Sequence, residues 1–141
     1  FMRILIFCFL SAFLISCGSP GGSDSPANAI KDFVTAVKEG NPSKAWTILS
    51  KDSQKLYEDM AKNRNQSGQE FFVASMKDAK ALGVLGNDFQ VMEEIKEGDD
   101  KATVNILTFN GEKQEMYTIK ENGTWHLDYA RTIEESRKLV E

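Results

Sequence analysis

The sequence DFQVMEEIKEGDDKATVNILTFNGEKQEMYTIKENGTWHLDY occupies residues 88–129 and decides the fold. Apolar side chains alternate with polar ones in four short runs, which three turn signals rich in Gly, Asn and Asp separate. Alternation with a period of two predicts strands that are buried on one face. The stretch therefore predicts four antiparallel strands joined as a meander.

The first strongly defined turn is Asn110-Gly111, a pair typical of a two-residue hairpin loop in which both residues adopt positive φ. Such a loop places Val104 opposite Tyr117. The pairing matters because a shift of one residue moves every side chain of a strand to the other face of the sheet.

The following turn, Glu121-Asn122-Gly123, is compatible with two loops. A two-residue loop at Asn122-Gly123 sets Ile119 opposite His126, whereas a three-residue loop sets Ile119 opposite Trp125. The three-residue loop is the prediction, because only that loop puts the apolar residues on one face.

The turn between the first two strands is read as a four-residue loop over residues 97–100. It places Val91 opposite Ile106 and Ile95 opposite Ala102. The three registers then agree on one apolar face, and agreement between independent local signals is typical of a sequence that specifies one fold.

Two carboxylates interrupt this apolar face, since the registers place Glu93 beside Val104 and Glu115 beside Ile106. A buried carboxylate without a partner is costly and has a raised pKa, so either residue could bind a ligand or act as a general base with Tyr117 as hydrogen-bond donor. The alternative is that both lie near the end of the sheet or pair with a lysine.

Helix start signals precede and follow the strands, where a Ser, Asn or Thr comes before a Pro or a Glu. They predict helices that begin at Pro26 after Ser25, at Pro42 after Asn41, near Gln69 after Ser67, and at Thr132. A further helical segment is expected from Asp52 to about Lys62. Helices followed by an antiparallel sheet predict an α+β fold, with the N-terminal helices packed on one face of the four-stranded meander sheet.

The N-terminal residues have the features of a bacterial lipoprotein signal. Arg3 precedes the apolar run Ile4–Ile15, which is too short to cross a bilayer, and the run ends in Leu14-Ile15-Ser16-Cys17-Gly18. This motif predicts a signal peptide over residues 1–16 and acylation of Cys17, for instance with palmitate, so that the protein is exported and anchored in a bacterial membrane. Gly18 after the cysteine, in place of Asp, resembles the sorting signal of lipoproteins that reach the outer membrane, so in a host with an outer membrane this location, facing the periplasm, is favoured.

The remaining chain divides by composition. Residues 17–25 contain the predicted acylated cysteine and a Gly/Ser/Pro stretch that predicts a flexible tether. Residues 26–131 form the predicted α+β domain, and residues 132–141 a short C-terminal helix or tail. The tether, if fully extended, would reach on the order of 26 Å.

Charge and the small number of possible metal ligands exclude several classes of function. The chain of 141 residues has 17 basic and 21 acidic residues. Removing the signal peptide takes away one basic residue, Arg3, and no acidic one, which leaves 16 and 21 and a net charge of about −5. No basic cluster is present, so neither nucleic acid nor, beyond the acyl anchor, anionic lipid is an expected partner. One histidine, His126, and scattered carboxylates form no pattern of metal ligands, and no cofactor is predicted. Oligomeric state is not predicted.

The lipoprotein motif, the helix AIKDFVTAVKEGN at residues 29–41, Ala45-Trp46 and the last hairpin Asn122-Gly123-Thr124-Trp125 together resemble a known group of proteins. These are small bacterial lipoproteins of unknown function with a nuclear-transport-factor-two-like, or cystatin-like, fold. The resemblance implies a cone in which helices close over a curved sheet and can enclose a pocket. Some members of this superfamily are enzymes, whereas many bind ligands or proteins, so the fold does not select a function.

The candidate pocket residues are the aromatic, methionine and glutamate side chains expected to face the interior of the cone. They are Trp46, Tyr57, Phe72, Met76, Glu93, Glu115, Tyr117, Trp125 and Tyr129. The sequence predicts a membrane-tethered, non-catalytic protein that binds a small apolar ligand or an envelope protein. The alternatives are an interaction scaffold whose core is filled and a cofactor-free acid–base enzyme that uses Glu93 or Glu115.

Overall fold

The computed structural model describes residues 21–81 and 88–140, which contain five helices and four strands. The predicted signal peptide and Cys17 lie outside these residues. The elements in chain order are α1 (Pro26–Lys38), α2 (Pro42–Ile48), α3 (Lys51–Ala61), α4 (Gly68–Ala81), β1 (Phe89–Glu97), β2 (Lys101–Thr108), β3 (Lys113–Glu121), β4 (Thr124–Leu127) and α5 (Tyr129–Lys138).

The first two helices begin where their sequence signals predict. The Ser25 side chain accepts a hydrogen bond from the backbone N–H of Asn28 at 3.2 Å, and Asn41 does the same for Lys44 at 3.1 Å. Each cap satisfies one of the backbone donors that the first turn of a helix leaves unpaired.

The start of α4 is a reciprocal capping box. The backbone N–H of Glu70 donates to Ser67 Oγ at 3.1 Å, and the N–H of Ser67 donates to a carboxylate oxygen of Glu70 at 2.8 Å. Two unpaired donors are satisfied together, so the boundary at Gly68 agrees with the predicted start near Gln69.

The C-terminal helix begins earlier than predicted, and the start signal at Thr132 was wrong. Asp128 caps α5 by accepting from the backbone N–H of Arg131 at 3.1 Å, so the helix begins at Tyr129. Thr132 lies within the first turn, where its hydroxyl donates to the backbone carbonyl of Asp128.

The four strands form one antiparallel sheet in the order β1-β2-β3-β4, which confirms the predicted meander and the α+β class. Helix α1 packs against the sheet, and α2 and α4 pack against α1. The core between them consists of apolar side chains that include Ile30, Phe33, Ile48, Tyr57, Phe72, Ala102, Val104, Ile106, Trp125 and Leu127.

The register of β1 against β2 is confirmed at one end and wrong at the other. Val91 lies opposite Ile106 as predicted, but a bulge between Val91 and Glu93 then places Ile95 opposite Thr103. An extra residue in one strand turns every later side chain to the other face.

The predicted register of β2 against β3 was wrong by one residue, since Val104 pairs with Met116. The loop between these strands contains three residues, and Thr108 and Glu112 close it through a backbone hydrogen bond of 2.8 Å. Only Gly111 has a positive φ, of +84°, which matches a three-residue loop that ends in a glycine bulge.

The register of β3 against β4 was also wrong, because the loop is the two-residue alternative. Asn122 and Gly123 have φ values of +50° and +82°, and Ile119 lies opposite His126. The two loop lengths are therefore the reverse of those predicted, and the two errors cancel at β4.

Strand β3 is consequently turned over relative to the prediction. Its side chains Met116 and Thr118 lie on the face that packs against the helices, opposite Val104 and Ala102. Tyr117 lies with Thr103 on the other face, which we call the open face. The open face carries Glu93, Ile95, Glu97, Thr103, Asn105, Glu115, Tyr117, Ile119 and His126.

Candidate functional site

Three of the aromatic residues expected to line a pocket contact one another between the helices and the sheet. The ring centroids of Tyr57 and Phe72 are 5.1 Å apart, those of Trp46 and Phe72 5.5 Å, and those of Trp46 and Tyr57 6.2 Å. These separations are typical of packed aromatic pairs. The space between these side chains is therefore occupied by their own rings.

The other apolar candidates belong to the same core. Met76 packs against its edge, Trp125 is buried within it, and Tyr129 stacks on Tyr57 at a centroid distance of 6.1 Å. Sequence reasoning thus identified a group of residues that the fold does bring together. We call Trp46, Tyr57, Phe72 and Tyr129 the aromatic cluster.

Glu93, Glu115 and Tyr117 do not join this cluster, and their prediction as inward-facing residues was wrong. The bulge in β1 and the three-residue loop before β3 turn them to the open face, where Glu93 and Glu115 lie on either side of Asn105. Both carboxylates are exposed. Water can solvate them there, so neither is a buried charge that needs a partner.

Tyr117 is held on the open face by contacts that sequence reasoning missed. Its hydroxyl donates to a carboxylate oxygen of Glu115 at 2.9 Å, and the guanidinium of Arg131 lies 4.4 Å from the centre of its ring. Cation–π contact of this kind favours arginine over an aromatic face. Partial burial, together with the hydrogen bond to Glu115, raises the pKa of Tyr117 above its usual value.

Arg131 also ties α5 to the first strand. Its guanidinium donates two hydrogen bonds to the carboxylate of Glu97, at 3.0 and 3.3 Å, and Thr103 donates a third at 3.1 Å. The bonds from Arg131 and Thr103 hold the pKa of Glu97 below its usual value. The signal for this contact was weak, because Arg131 lies at the end of the predicted domain, next to the weakly amphipathic C-terminal segment.

The open face remains partly apolar and uncovered beyond the reach of Arg131. Ile95 is 44% exposed, Met92, at the bulge, 53%, and Phe109, in the loop between β2 and β3, 69%. A depression of about 370 Å³ lies beside the two carboxylates, and it is lined by Met92, Glu93, Asn105, Ile106, Lys113, Gln114 and Glu115. This combination of exposed apolar side chains with flanking carboxylates is the candidate functional site.

His126 lies on the open face of β4. Its Nε2 is 3.0 Å from the hydroxyl of Thr124, and its Nδ1 is buried without a hydrogen-bond partner in the described part of the chain. Asp128 follows the end of β4, and its side chain caps α5 by accepting a hydrogen bond from the backbone N–H of Arg131. The two side chains therefore do not form an acid–base pair.

Residues 21–81 and 88–140 contain no group of three or more His, Cys, Asp or Glu side chains placed to hold a metal ion. Within the same residues, every helix is too short or too polar to cross a bilayer.

Comparison with known proteins adds a family to this description. Residues 15–128 match the family model described as a domain of unknown function, DUF4878. The chain belongs to the DUF4878 family. No curated protein sequence matches this DUF4878 chain.

Eleven chains of solved structures match the DUF4878 chain. Among them is a protein from Campylobacter jejuni that is described provisionally as an NTF2-like transpeptidase. The two share 19% sequence identity, with a TM-score of 0.40, over 73% of this chain and 96% of the other. NTF2-like is the fold that the sequence resemblance names. The transpeptidase description is a statement about the Campylobacter protein alone.

Proposed function

We propose that this DUF4878 protein is a lipid-anchored protein of the bacterial envelope whose α+β domain binds another envelope protein through its open face, without catalysis. The anchoring is supported by the apolar run Ile4–Ile15 and the lipoprotein motif that ends at Cys17. Two or more acyl chains would anchor the protein stably, because each buried CH₂ contributes about 0.8 kcal/mol and a single chain is marginal.

The distribution of apolar side chains favours a protein partner over a small apolar ligand. Trp46, Tyr57 and Phe72, the residues best placed to line an internal pocket, pack against one another instead. A ligand between them would have to separate rings already in contact. Ile95 and Met92 are left exposed on or beside the sheet, where a partner could cover them.

The chemistry around these apolar side chains indicates the kind of partner surface. Glu93 and Glu115 present two exposed carboxylates on either side of Asn105. A surface with an apolar anchor between two basic side chains would complement them, since opposite charges steer association and fix its register. A partner segment of this type is the one we expect.

Catalysis by Glu115 is not favoured by its surroundings. Its carboxylate is exposed and accepts a hydrogen bond from Tyr117 on an open surface. General acid–base catalysis usually relies on a closed site that tunes the pKa of the reacting group. No such enclosure surrounds Glu115 among the described residues.

Photo-crosslinking in cells of the source organism tests the binding surface. A photoreactive amino acid at Ile95 is expected to give a crosslinked product of defined mass, and the same amino acid at Lys77, an exposed position on α4, is expected to give none. The combined changes Glu93→Lys and Glu115→Lys should abolish the Ile95 product through charge repulsion. Glu39→Lys combined with Asp78→Lys, at exposed positions after α1 and on α4, is the control for an equal change of charge.

The lipid anchor has its own test in the same cells. Cys17→Ser is expected to release the protein from the membrane fraction and to abolish incorporation of labelled palmitate. A membrane-bound, unlabelled Cys17→Ser variant would contradict the anchor.

The crosslinking test has a separate contradicting outcome. Equal crosslinking at Ile95 and Lys77 would contradict the open face as the binding surface.

A further inference from the structure

Residues Gly21–Ser23, which we call the strap, lie along the outer edge of β4. The backbone N–H of Ser23 donates to the carbonyl of Trp125 at 2.8 Å, and the N–H of Trp125 donates to the carbonyl of Ser23 at 2.7 Å. The hydroxyl of Ser23 donates to the carboxylate of Asp32 in α1 at 2.5 Å. The strap is therefore bound to both the sheet and the first helix.

The two glycines of the strap fit sites that accept no side chain. Gly21 has a φ of +116°, and a Cβ on it would lie 2.1 Å from the backbone oxygen of Thr47. Gly22 has a φ of +82°, and a Cβ on it would lie 2.4 Å from the hydroxyl oxygen of Thr124. Glycine is required at both positions by backbone conformation and by close approach. The prediction that residues 17–25 form one flexible tether was therefore wrong for Gly21–Ser25.

The docked strap shortens the connection between a lipid on Cys17 and the folded domain. Only residues 18–20 separate Cys17 from Gly21, which docks against Thr47. Four Cα-to-Cα steps span at most about 14 Å, roughly half of the reach that a tether ending at Ser25 would have. The domain cannot rise freely above the surface to which Cys17 is attached.

We infer that the surface beside Gly21 rests against the lipid headgroups, an inference that depends on the proposed acylation of Cys17. We call this surface the membrane-side surface, and define it by Thr47, Lys51, Glu121 and Asn122, which line one shallow depression of about 210 Å³. The short connection brings this surface to the headgroup layer and holds it there.

The chemistry of the membrane-side surface suits contact with headgroups and not insertion among acyl chains. Lys51 is exposed, as is Lys44, which lies one turn before Thr47 on α2, and both can interact with lipid phosphates. The carboxylate of Glu121 accepts from the backbone N–H of Lys51 at 3.2 Å, so this acidic group is engaged within the protein. The large exposed apolar side chains of the described residues, such as Ile95 and Phe109, lie elsewhere.

The far end of the sheet provides an internal reference. Strand β3 runs for nine residues from Lys113 to Glu121, whose carboxylate lies at the membrane-side surface. At about 3.4 Å per residue, the start of β3 is about 27 Å from Glu121. Glu112, just before β3, should therefore lie well away from the membrane when the membrane-side surface rests on it.

Resonance energy transfer in vesicles tests this orientation. The full-length acylated protein, with Lys51→Cys or Glu112→Cys labelled with a donor dye, is reconstituted into vesicles of phosphatidylethanolamine and phosphatidylglycerol whose headgroups carry an acceptor. Transfer at position 51 is expected to exceed that at position 112 by about twofold or more. Lys51 is hydrogen-bonded to Glu121, and Glu112 lies about 30 Å along the sheet from Glu121. Co-flotation of protein with vesicles is measured on the same samples.

A lengthened connection is the matched control. Inserting about ten Gly/Ser residues between Gly18 and Ser19 leaves the strap intact and allows the domain to move away from the lipid. Transfer at position 51 should then fall to the value at position 112. Flotation with equal transfer at both positions in the original chain would overturn the orientation while leaving the lipid anchor in place. Absence of flotation would overturn the proposed anchor and the orientation with it.

Discussion

The fold strongly affects the ionisation of Tyr57. Its ring is buried in the aromatic cluster, and burial, with a smaller effect of the neighbouring Tyr129, raises its pKa to about 12. The folded state therefore favours the protonated phenol. Its contribution to stability is complete below the unfolded pKa of about 10 and is lost as pH rises through the folded value.

We predict that Tyr57→Phe changes the alkaline limb of the stability curve. The original protein should lose stability between about pH 10 and pH 12 that the Phe variant retains, because the variant has no phenol to ionise at this position. Urea unfolding at neutral pH and across this range measures the difference. Curves that remain parallel for the two proteins would contradict the prediction.

Asp128 combines a favourable cap with an unfavourable charge. Its side chain caps α5, while burial, followed by the nearby charge of Asp52, raises its pKa above the usual value. The folded state therefore favours the protonated acid, and stability is lost as pH rises through the folded pKa.

Replacement of Asp128 by Asn should keep the cap and remove the charge. We predict that Asp128→Asn is more stable than the original protein at neutral pH, and that the gain shrinks in acid, where the aspartic acid is neutral as well. Asp128→Ala should instead cost about 1 kcal/mol through loss of the cap. Chemical denaturation at neutral and at acidic pH checks the result. If the Asn variant is less stable than the original protein at neutral pH, the charge of Asp128 does not destabilise the fold.

At the scale of elements, the helices were more predictable than the sheet registers. Helix starts at Pro26 and Pro42 follow from capping side chains, each of which accepts a hydrogen bond from a backbone N–H three residues later. Local chemistry is sufficient for such boundaries, since the cap and its donor lie within one turn. Asp128 was missed because its role as a cap competes with its reading as the end of a strand.

The registers failed because two loops with the same Asn-Gly pair adopt different lengths. Residues 110–111 and 122–123 both read Asn-Gly, yet Asn122 has a positive φ and Asn110 does not. The Thr108 side chain, hydrogen-bonded to both the carbonyl and the N–H of Glu112, closes the longer loop. The assumption of one apolar face was also too strict, because Arg131 covers Tyr117 on the other face.

The strap offers a test in which the cost of positive φ is separated from the cost of close approach. Gly22 and Gly98 have similar φ values, +82° and +76°, but a Cβ on Gly98 meets nothing within 4 Å. Both alanine variants should lose about 1–2 kcal/mol for the left-handed backbone. We predict a larger loss for Gly22→Ala, since its Cβ would collide with Thr124.

Thermal unfolding of the two variants measures the difference. Hydrogen exchange at the Trp125 amide, which pairs with Ser23, should become faster in Gly22→Ala and stay unchanged in Gly98→Ala. Equal stability losses and equal exchange rates would show that the strap can shift to accept a methyl group.

At the scale of the whole molecule, the strap joins the start of the described chain to its last strand. A chain that begins at Ser25 retains the cap of α1 but exposes the backbone of Trp125 at the edge of β4. We predict a loss of about 1–3 kcal/mol for two backbone hydrogen bonds. We also expect self-association, since an unpaired strand edge can pair with another chain.

A chain beginning at Gly21 is the matched control, because it keeps the strap. Sedimentation velocity and thermal unfolding compare the two chains at several concentrations. If the shorter chain is as stable as the control and sediments at the same rate, the strap is not needed to cover the edge of the sheet.

The candidate site was only partly predictable because it depends on two non-local properties. The aromatic cluster was identified from helix and strand periodicity, but whether its rings enclose a ligand or fill the core depends on how helices from distant parts of the chain meet. The exposure of Glu93 and Glu115 depends on one bulge and one loop length, each of which turns a strand by a single residue. No local signal separates these outcomes.

The bridge between Ser23 and Trp125 has a mechanical consequence for a domain held by its N-terminus. Tension along the chain reaches this pair of hydrogen bonds before it reaches α1, which begins at Pro26 and is buried against the sheet. The two hydrogen bonds of this bridge should break first, while the core stays folded. Release of the segment from Gly21 to Ser25 would add about 17 Å of extended chain, so the domain would yield under a pull before it unfolds.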